Sequence, residues 1–183
     1  DASTLTVTFN TTSAHYTLDT TNKEVLLTQA GIDEINSGGT LDAIVLKVSD
    51  GSLDATHSAT PAVTPVNDAP VANAVTGTGL EDAASIAVTL TGSDEEGAVA
   101  SFTLKSLPDA TTEGTLYTDS ALQNAAVVDQ VVDSVDSTLY FVPVADFNGP
   151  VTFDYEASDG DASSAPATAT ITVGAVNDAP SIT

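Results

Sequence analysis

Two asparagine–aspartate pairs, Asn67-Asp68 and Asn177-Asp178, stand 110 residues apart inside the same Val-Asn-Asp-Ala-Pro string. Each pair offers adjacent side-chain oxygens, and the prolines at 65 and 70 stiffen the backbone around the first copy. Further acids crowd into short loops: Asp33-Glu34, Glu81-Asp82, Asp94-Glu95-Glu96, Asp146 and Asp159. Oxygen donors on loops are what a hard cation such as calcium takes, about six to eight of them at ~2.3–2.6 Å. Softer metals want histidine or cysteine, and the chain has two histidines and no cysteine. Crowded carboxylates repel one another until a cation neutralises them.

The remaining chemistry is narrow. The formal net charge is −23, with Lys23, Lys47 and Lys105 the basic side chains and no arginine, so phosphate and nucleic-acid binding are excluded. An anionic membrane surface would repel such a chain, and no apolar run approaches the ~18 residues of a membrane span. An export signal is expected outside this stretch. With 42% hydrophobic residues and recurrent β-branched alternation, the charge does not imply disorder. It implies either solvation of a general acidic surface or neutralisation by bound cations, and clustering of the acids favours the second.

Catalytic readings are poor. Glu95 and Glu96 could be a glycosidase pair, but they are adjacent in a turn and no tryptophan is present to stack a sugar. A Ser-His-Asp set would need His15 or His57, and neither sits in a nucleophile elbow. Without cysteine there is no thiol chemistry and no disulfide framework, so a small domain would rely on metal for stapling. Asn10-Thr11-Thr12 fits a glycosylation sequon, a pattern too short to carry weight.

The elements that must position the acids read as strands. In residues 1–66, alternation at Leu5, Val7 and Phe9, at Ala14, Tyr16 and Leu18, at Val25-Leu26-Leu27, and at Ile44, Leu46 and Val48 predicts four strands. Gln29 to Ser37 suits one helical turn, and a last strand over residues 55–63 is interrupted at Pro61. Residues 71–176 repeat this more fully. Strands are expected at Ile86–Leu90, Phe102–Leu104, Leu116-Tyr117, Leu139–Val142, Val151–Ala157 and Ala167–Val173, and Gly77, Gly79 and Glu81-Asp82 read as a loop. The stretch 125–137 is open between an irregular strand and a long loop. About seven short strands with frequent turns predict an all-β architecture of tandem antiparallel Greek-key β-sandwiches. Aligning the units on Ser49-Asp50-Gly51 and Ser158-Asp159-Gly160 leaves the first without a counterpart of residues 71–90. The expected division is therefore a partial sandwich (1–66) lacking its first two strands, a linker (67–70), a complete sandwich (71–176) and the start of a further linker (177–183).

Leu80-Glu81-Asp82, Leu90-Thr91-Gly92-Ser93-Asp94, Phe141-Val142-Pro143, Asp146-Phe147-Asn148-Gly149, Phe153 to Tyr155, Ser158-Asp159-Gly160 and Val176 to Pro180 come in the order of a known repeat. The second unit resembles the cadherin-like tandem repeats of giant bacterial surface adhesins, including those of the RTX type; the first unit matches from its third strand onward. That resemblance implies calcium where successive sandwiches meet. One site would draw on Asn67, Asp68, Asp94, Glu96 and Asp159, closed from the first unit by the loop carrying Asp33 and Glu34. A second would draw on Glu81, Asp146 and Asp178, with Asn148 and Asn177. The linker departs from the cadherin form, which carries a further Asp where Pro65 or Val66 stands here.

The function this implies is non-enzymatic: a calcium-rigidified extender of a large secreted adhesin, extracellular at the cell surface, projecting a distal binding domain. Its partners would be adjacent repeats of the same chain, with no nucleic acid and no membrane contact. The alternative is an adhesion module that itself binds a glycan, a peptide or another copy, through the 125–137 stretch or the edge left by the missing strands.

Overall fold

A computed structural model describes residues 5–64 and 66–179; the prolines at 65 and 180 that flank the two Asn-Asp motifs lie outside them. The chain divides into two units, Asp1–Val66 and Asn67–Thr183. The Asn67–Pro70 stretch, expected as a separate linker, thus groups with the second unit, where Pro70 is buried.

The first unit contains β1 (Thr6–Phe9), β2 (Tyr16–Asp19), β3 (Glu24–Leu27), α1 (Gln29–Asn36), β4 (Ile44–Ser49) and β5 (Asp54–Ala59). β1, β4 and β5 form one antiparallel sheet in that order, and β2 and β3 form a hairpin. The hairpin turn is held by Asp19, whose Oδ1 accepts the N–H groups of Thr21 (2.8 Å) and Asn22 (3.1 Å). α1 is two turns long rather than one. Thr28 caps it by accepting the Gly31 N–H at 3.2 Å and donates its own hydroxyl to the Ala14 carbonyl. Gly31 lies against the His15 carbonyl, which a Cβ would approach to 2.6 Å, so only glycine lets the helix seat there. Tyr16 and Ile35 are the buried apolar side chains of this unit among the described residues.

The second unit contains β6 (Val71–Ala72), β7 (Val75–Leu80), β8 (Ile86–Thr89), β9 (Gly92–Ser93), β10 (Ser101–Leu104), β11 (Gly114–Tyr117), β12 (Val131–Asp133), β13 (Thr138–Pro143), β14 (Gly149–Ser158) and β15 (Ala167–Gly174). A five-stranded sheet, β12-β10-β14-β15-β7, faces a three-stranded one, β11-β13-β8, while β6 and β9 make a short pair of their own. Alternation sends Ile86, Val88 and Leu90, Phe102 and Leu104, Leu139 and Phe141, Val151, Phe153, Tyr155 and Ala157, and Ala169, Ile171 and Val173 into one continuous core. Each large side chain so buried contributes about 1.5–3 kcal/mol, which makes this unit the stable body of the chain.

Two details differ from the expectation. Residues 75–80 form strand β7, not a loop; Gly77 and Gly79 are there because β8 passes too close for side chains. A Cβ on Gly79 would stand 2.5 Å from Ile86 Cγ1, and one on Gly77 would stand 2.9 Å from the Ala87 carbonyl oxygen. β7 also runs parallel to β15, whereas the other strand pairs are antiparallel. The ambiguous 125–137 stretch crosses from one sheet to the other. Ala126 donates its N–H to Leu116 of β11, and β12 then pairs with β10.

Candidate metal centre

At one end of the second unit, the β6–β9 pair brings the Asn67–Pro70 stretch beside the Asp94–Glu96 loop that follows β9. Tyr155 ties this pair to the core. Its hydroxyl is shared between the carbonyls of Asn73 and Thr91 and accepts the Thr91 N–H at 3.2 Å. Burial pushes the Tyr155 phenol upward, the two hydrogen-bonding contributions from Thr91 opposing it.

Four of the five acids and amides expected at this end then connect in sequence. Asn67 Nδ2 donates to Asp159 Oδ2 at 2.9 Å and to the Asp68 carbonyl at 3.2 Å. The Asp68 N–H donates to Glu96 Oε2 at 3.3 Å. The fifth, Asp94, follows through its Oδ1, which accepts the Glu96 N–H at 3.0 Å. Asp159 is fixed by its own turn, Oδ1 accepting the N–H groups of Ala162 (2.7 Å) and Asp161 (2.8 Å). The Ala162 bond, then that from Asn67, then that from Asp161 hold its carboxyl below the usual range.

Glu95 belongs to the cluster as well. One carboxylate oxygen each of Asp68, Glu95 and Glu96 lie within 4.8 Å of one another. Glu95 stands outside the expected ligand set of Asn67, Asp68, Asp94, Glu96 and Asp159, and the uninterrupted Asp94-Glu95-Glu96 run is the signal that points to it. Asp94 Oδ2 and Glu96 Oε1 are buried without a hydrogen-bond partner among the described residues. A buried acceptor left unpaired costs about 1–3 kcal/mol, more when charged. Two such oxygens beside a three-carboxylate cluster, all hard donors, fit a hard divalent cation.

Asp33 and Glu34 sit on α1 of the first unit, not on a loop as expected, because Thr28 starts a helix two turns long. Asp33 Oδ1 accepts the Gln29 amide at 2.8 Å one turn back, and Glu34 folds against Gly39.

At the opposite end of the second unit, Glu81 is nearly buried. Its Oε1 accepts the Val176 N–H at 2.6 Å and its Oε2 the Asn148 amide at 3.4 Å. Asn148 also reaches the Asp146 carbonyl, and Asp146 itself takes a left-handed φ of 62°. The Asp178 carboxyl is pushed upward, first by Asp82, then by burial, then by Asp146 and Glu81. Asp146 and Glu81, the other two expected acids, thus lie near enough to oppose the ionisation of Asp178, and Asp82, outside the expected set, contributes most. Asn177 donates to the Asp178 carbonyl at 3.4 Å, the same local contact that Asn67 makes with Asp68.

Of the two histidines, His57 lies on the exposed strand β5 and His15 lies beside Asp42. His15 Nδ1 lies 3.4 Å from Asp42 Oδ2, but Ser13 donates its hydroxyl to that same Asp42 at 2.9 Å rather than to the imidazole. A nucleophile bonded to the acid and not to the base is not activated.

A family pattern described as a cadherin-like domain matches residues 66–174. No curated protein matches. Among solved structures, an endo-fucoidan hydrolase of glycoside hydrolase family 107 aligns at 19% identity and TM-score 0.39, over 96% of this chain and 24% of that one. A titin fragment aligns at 15% identity and TM-score 0.36, over 93% and 55%. Domains 4 and 5 of the S-layer protein SbsC align at 14% identity and TM-score 0.29, over 92% and 70%. The chain spans about a quarter of the fucoidan hydrolase it aligns with.

Proposed function

The chain belongs to the cadherin-like domain family, and we propose that it serves as a non-enzymatic, calcium-stiffened extender in a large secreted bacterial adhesin of the RTX type. Its place is extracellular, at the cell surface, between a membrane-proximal anchor and a distal binding domain. The observation that carries this reading is the chain of contacts from Asn67 through Asp159, Asp68 and Glu96 to Asp94, ending on two buried carboxylate oxygens without partners. Asp68, Asp94, Glu95 and Glu96 would hold the ion, with Asp159 and Asn67 beside them. Bound calcium would supply positive charge there and accept those oxygens as ligands, nothing more.

The rest is done by the chain's own residues. Asp159 and the β6–β9 pair fix the linker at the second unit before any ion arrives. The carboxylates repel in the free state and so weaken the end of the unit that they share. Binding to the folded state alone adds RT ln(1 + [Ca]/Kd), about 2.7 kcal/mol at a hundredfold excess over Kd. Where the ligands come from both units, that energy favours the interdomain arrangement that brings them together. The cluster of Glu81, Asp82, Asp146 and Asp178 would do the same toward a following repeat.

Calcium titration followed by calorimetry tests the reading. We expect calcium to raise the unfolding temperature of the second unit and magnesium to do so less, since magnesium sheds its waters reluctantly. Equal thermograms in calcium and in chelator would overturn it.

A further inference from the structure

The five-stranded sheet of the second unit ends in β7 on one side and β12 on the other. β7 passes directly against β8, but among the described residues no strand lies beyond β12. Leu104 donates its N–H to the Gln130 carbonyl, and Ser134 donates its N–H to the Ala100 carbonyl. Residues 130, 132 and 134 therefore turn their backbone groups toward β10, and by the alternation of a strand Val131 and Asp133 turn theirs away. Two N–H groups and two carbonyls thus stand at an open edge, a template for a further strand.

The side chains along this edge are of two kinds. Val131 and Val135 are 63% and 94% exposed, and Val127 and Val128, close by in sequence, are exposed as well. A single exposed valine is ordinary, but four within residues 127–135 mark a surface that water leaves unsatisfied. Asp129, Asp133 and Asp136 are interleaved with them. Lys105, the one basic residue in 67–183, is already engaged, 2.9 Å from Asp129 and 3.7 Å from Glu156. It leaves no basic side chain of this unit for Asp133 and Asp136, both of which are exposed. Asp133 Oδ1 accepts the Val135 N–H at 2.9 Å, and among the described residues no ion pair engages its charge.

We propose that the open edge of β12 is a docking surface for an extended peptide segment of another protein, one that carries lysine or arginine two residues before a β-branched apolar residue. The segment adds antiparallel to β12 and exchanges ladder bonds with Val131 and Asp133. Its basic side chain then stands opposite Asp133 and its apolar one opposite Val131, on the same face of the sheet because they are two residues apart. Main-chain bonds supply the affinity, and the charge pair fixes the register. The acids that admit such a segment also keep out a second copy of this chain, which would bring 26 acidic residues against 3 lysines to the same edge. Val131, Asp133 and Asp136 belong to neither acid cluster at the ends of the unit, so this surface is separate from the cation reading.

The test titrates the full chain, isotope-labelled for NMR, with the end-blocked peptide Thr-Lys-Thr-Val-Thr into the millimolar range, since so short an edge docks weakly. At saturation, amide exchange at Val131 and Asp133 should slow ~10-fold or more, while Val132, whose N–H faces β10, should not change. The rearranged peptide Thr-Lys-Val-Thr-Thr has the same composition and charge but sends the two side chains to opposite faces, so it should protect neither amide. Glutamate in place of the peptide's lysine should abolish the effect as well. Asp133→Asn keeps an acceptor for the Val135 N–H and should raise the Kd about 2–5-fold. Equal protection by the rearranged peptide would overturn the proposal, because it would show only general attraction to an acidic surface. Unchanged amides at the highest peptide concentration would overturn it too. So would protection that grows with protein concentration alone, since that assigns the edge to a second copy. The result should be the same in calcium and in chelator, which separates its failure from that of the extender reading.

Discussion

Asp94 and Glu96 matter most locally, because each buries a carboxylate oxygen that no group among the described residues satisfies. Their neutral isosteres therefore have a signed prediction. Glu96→Gln should leave the cation-free protein as stable as before, or more stable by about 1 kcal/mol, since it removes a buried charge. The same variant should lose most of the calcium-dependent rise in unfolding temperature, which calorimetry with and without chelator reads directly. A variant that keeps the full rise would show that the orphaned oxygen is not a ligand.

Asp159 and Asp178 extend the argument to pH, with opposite signs. Asp159 is held below the usual range by hydrogen bonds. Its stabilising contribution is therefore present above the unfolded pKa of ~3.9 and lost as pH falls through its own folded value. Asp178 is raised by neighbouring carboxylates, first Asp82. Its contribution is present below the unfolded value and lost as pH rises through the folded one, so at neutral pH the ionised Asp178 is opposed by its neighbours, an opposition that a bound cation would relieve. NMR titration of the two carboxyls in chelator should place Asp159 below Asp178. Added calcium should move Asp178 downward, and coincident titration curves would contradict the assignment.

At the scale of elements, what matters is how the ends of the second unit are held. The β6–β9 pair is only two residues long, so the Tyr155 hydroxyl beneath it bears much of the task of keeping the Asn67–Pro70 stretch against the Asp94 loop. Tyr155→Phe leaves the ring in the core but strands backbone groups of Asn73 and Thr91. A loss of about 1–3 kcal/mol is expected, measured by denaturant unfolding, together with weaker calcium binding. β7 makes a second test. Gly79→Val would drive side-chain atoms into Ile86, and a loss of at least about 1–3 kcal/mol should follow. A neutral result would mean that β7 does not pack on β8 as described.

These elements also show where sequence reading succeeds and where it fails. The strands at Ile86, Phe102, Leu139, Val151 and Ala167 were legible because large apolar residues alternate along them. β7 is not, because its inward positions are glycines and contribute no hydrophobic period, so the pattern reads as a loop. Its parallel pairing with β15 was equally hidden, since alternation gives a strand but not the direction of its neighbour. α1 was underestimated because its cap bond and the Gly31 contact with His15 depend on tertiary neighbours. Of the site, the acids tied to recurring motifs were legible. Glu95 and Asp82, each adjacent to a chosen acid, are not, since only folding shows which exposed neighbours the loops bring beside the cluster.

For the molecule as a whole, the net charge of −23 is the dominant fact. A monovalent salt screens such repulsion over a Debye length of ~8–10 Å but satisfies no buried oxygen. A general electrolyte effect and a specific calcium effect therefore separate when ionic strength is matched. The cadherin-like domain itself is shown by the family match; stiffening depends on whether the ligands of one ion bridge two units. Small-angle scattering of the chain at constant ionic strength, in calcium and then in chelator, tests this most directly. With calcium the maximum dimension should lengthen and the distance distribution narrow, both lost in chelator and in Glu96→Gln; superimposable profiles in the two conditions would rule out calcium-dependent stiffening.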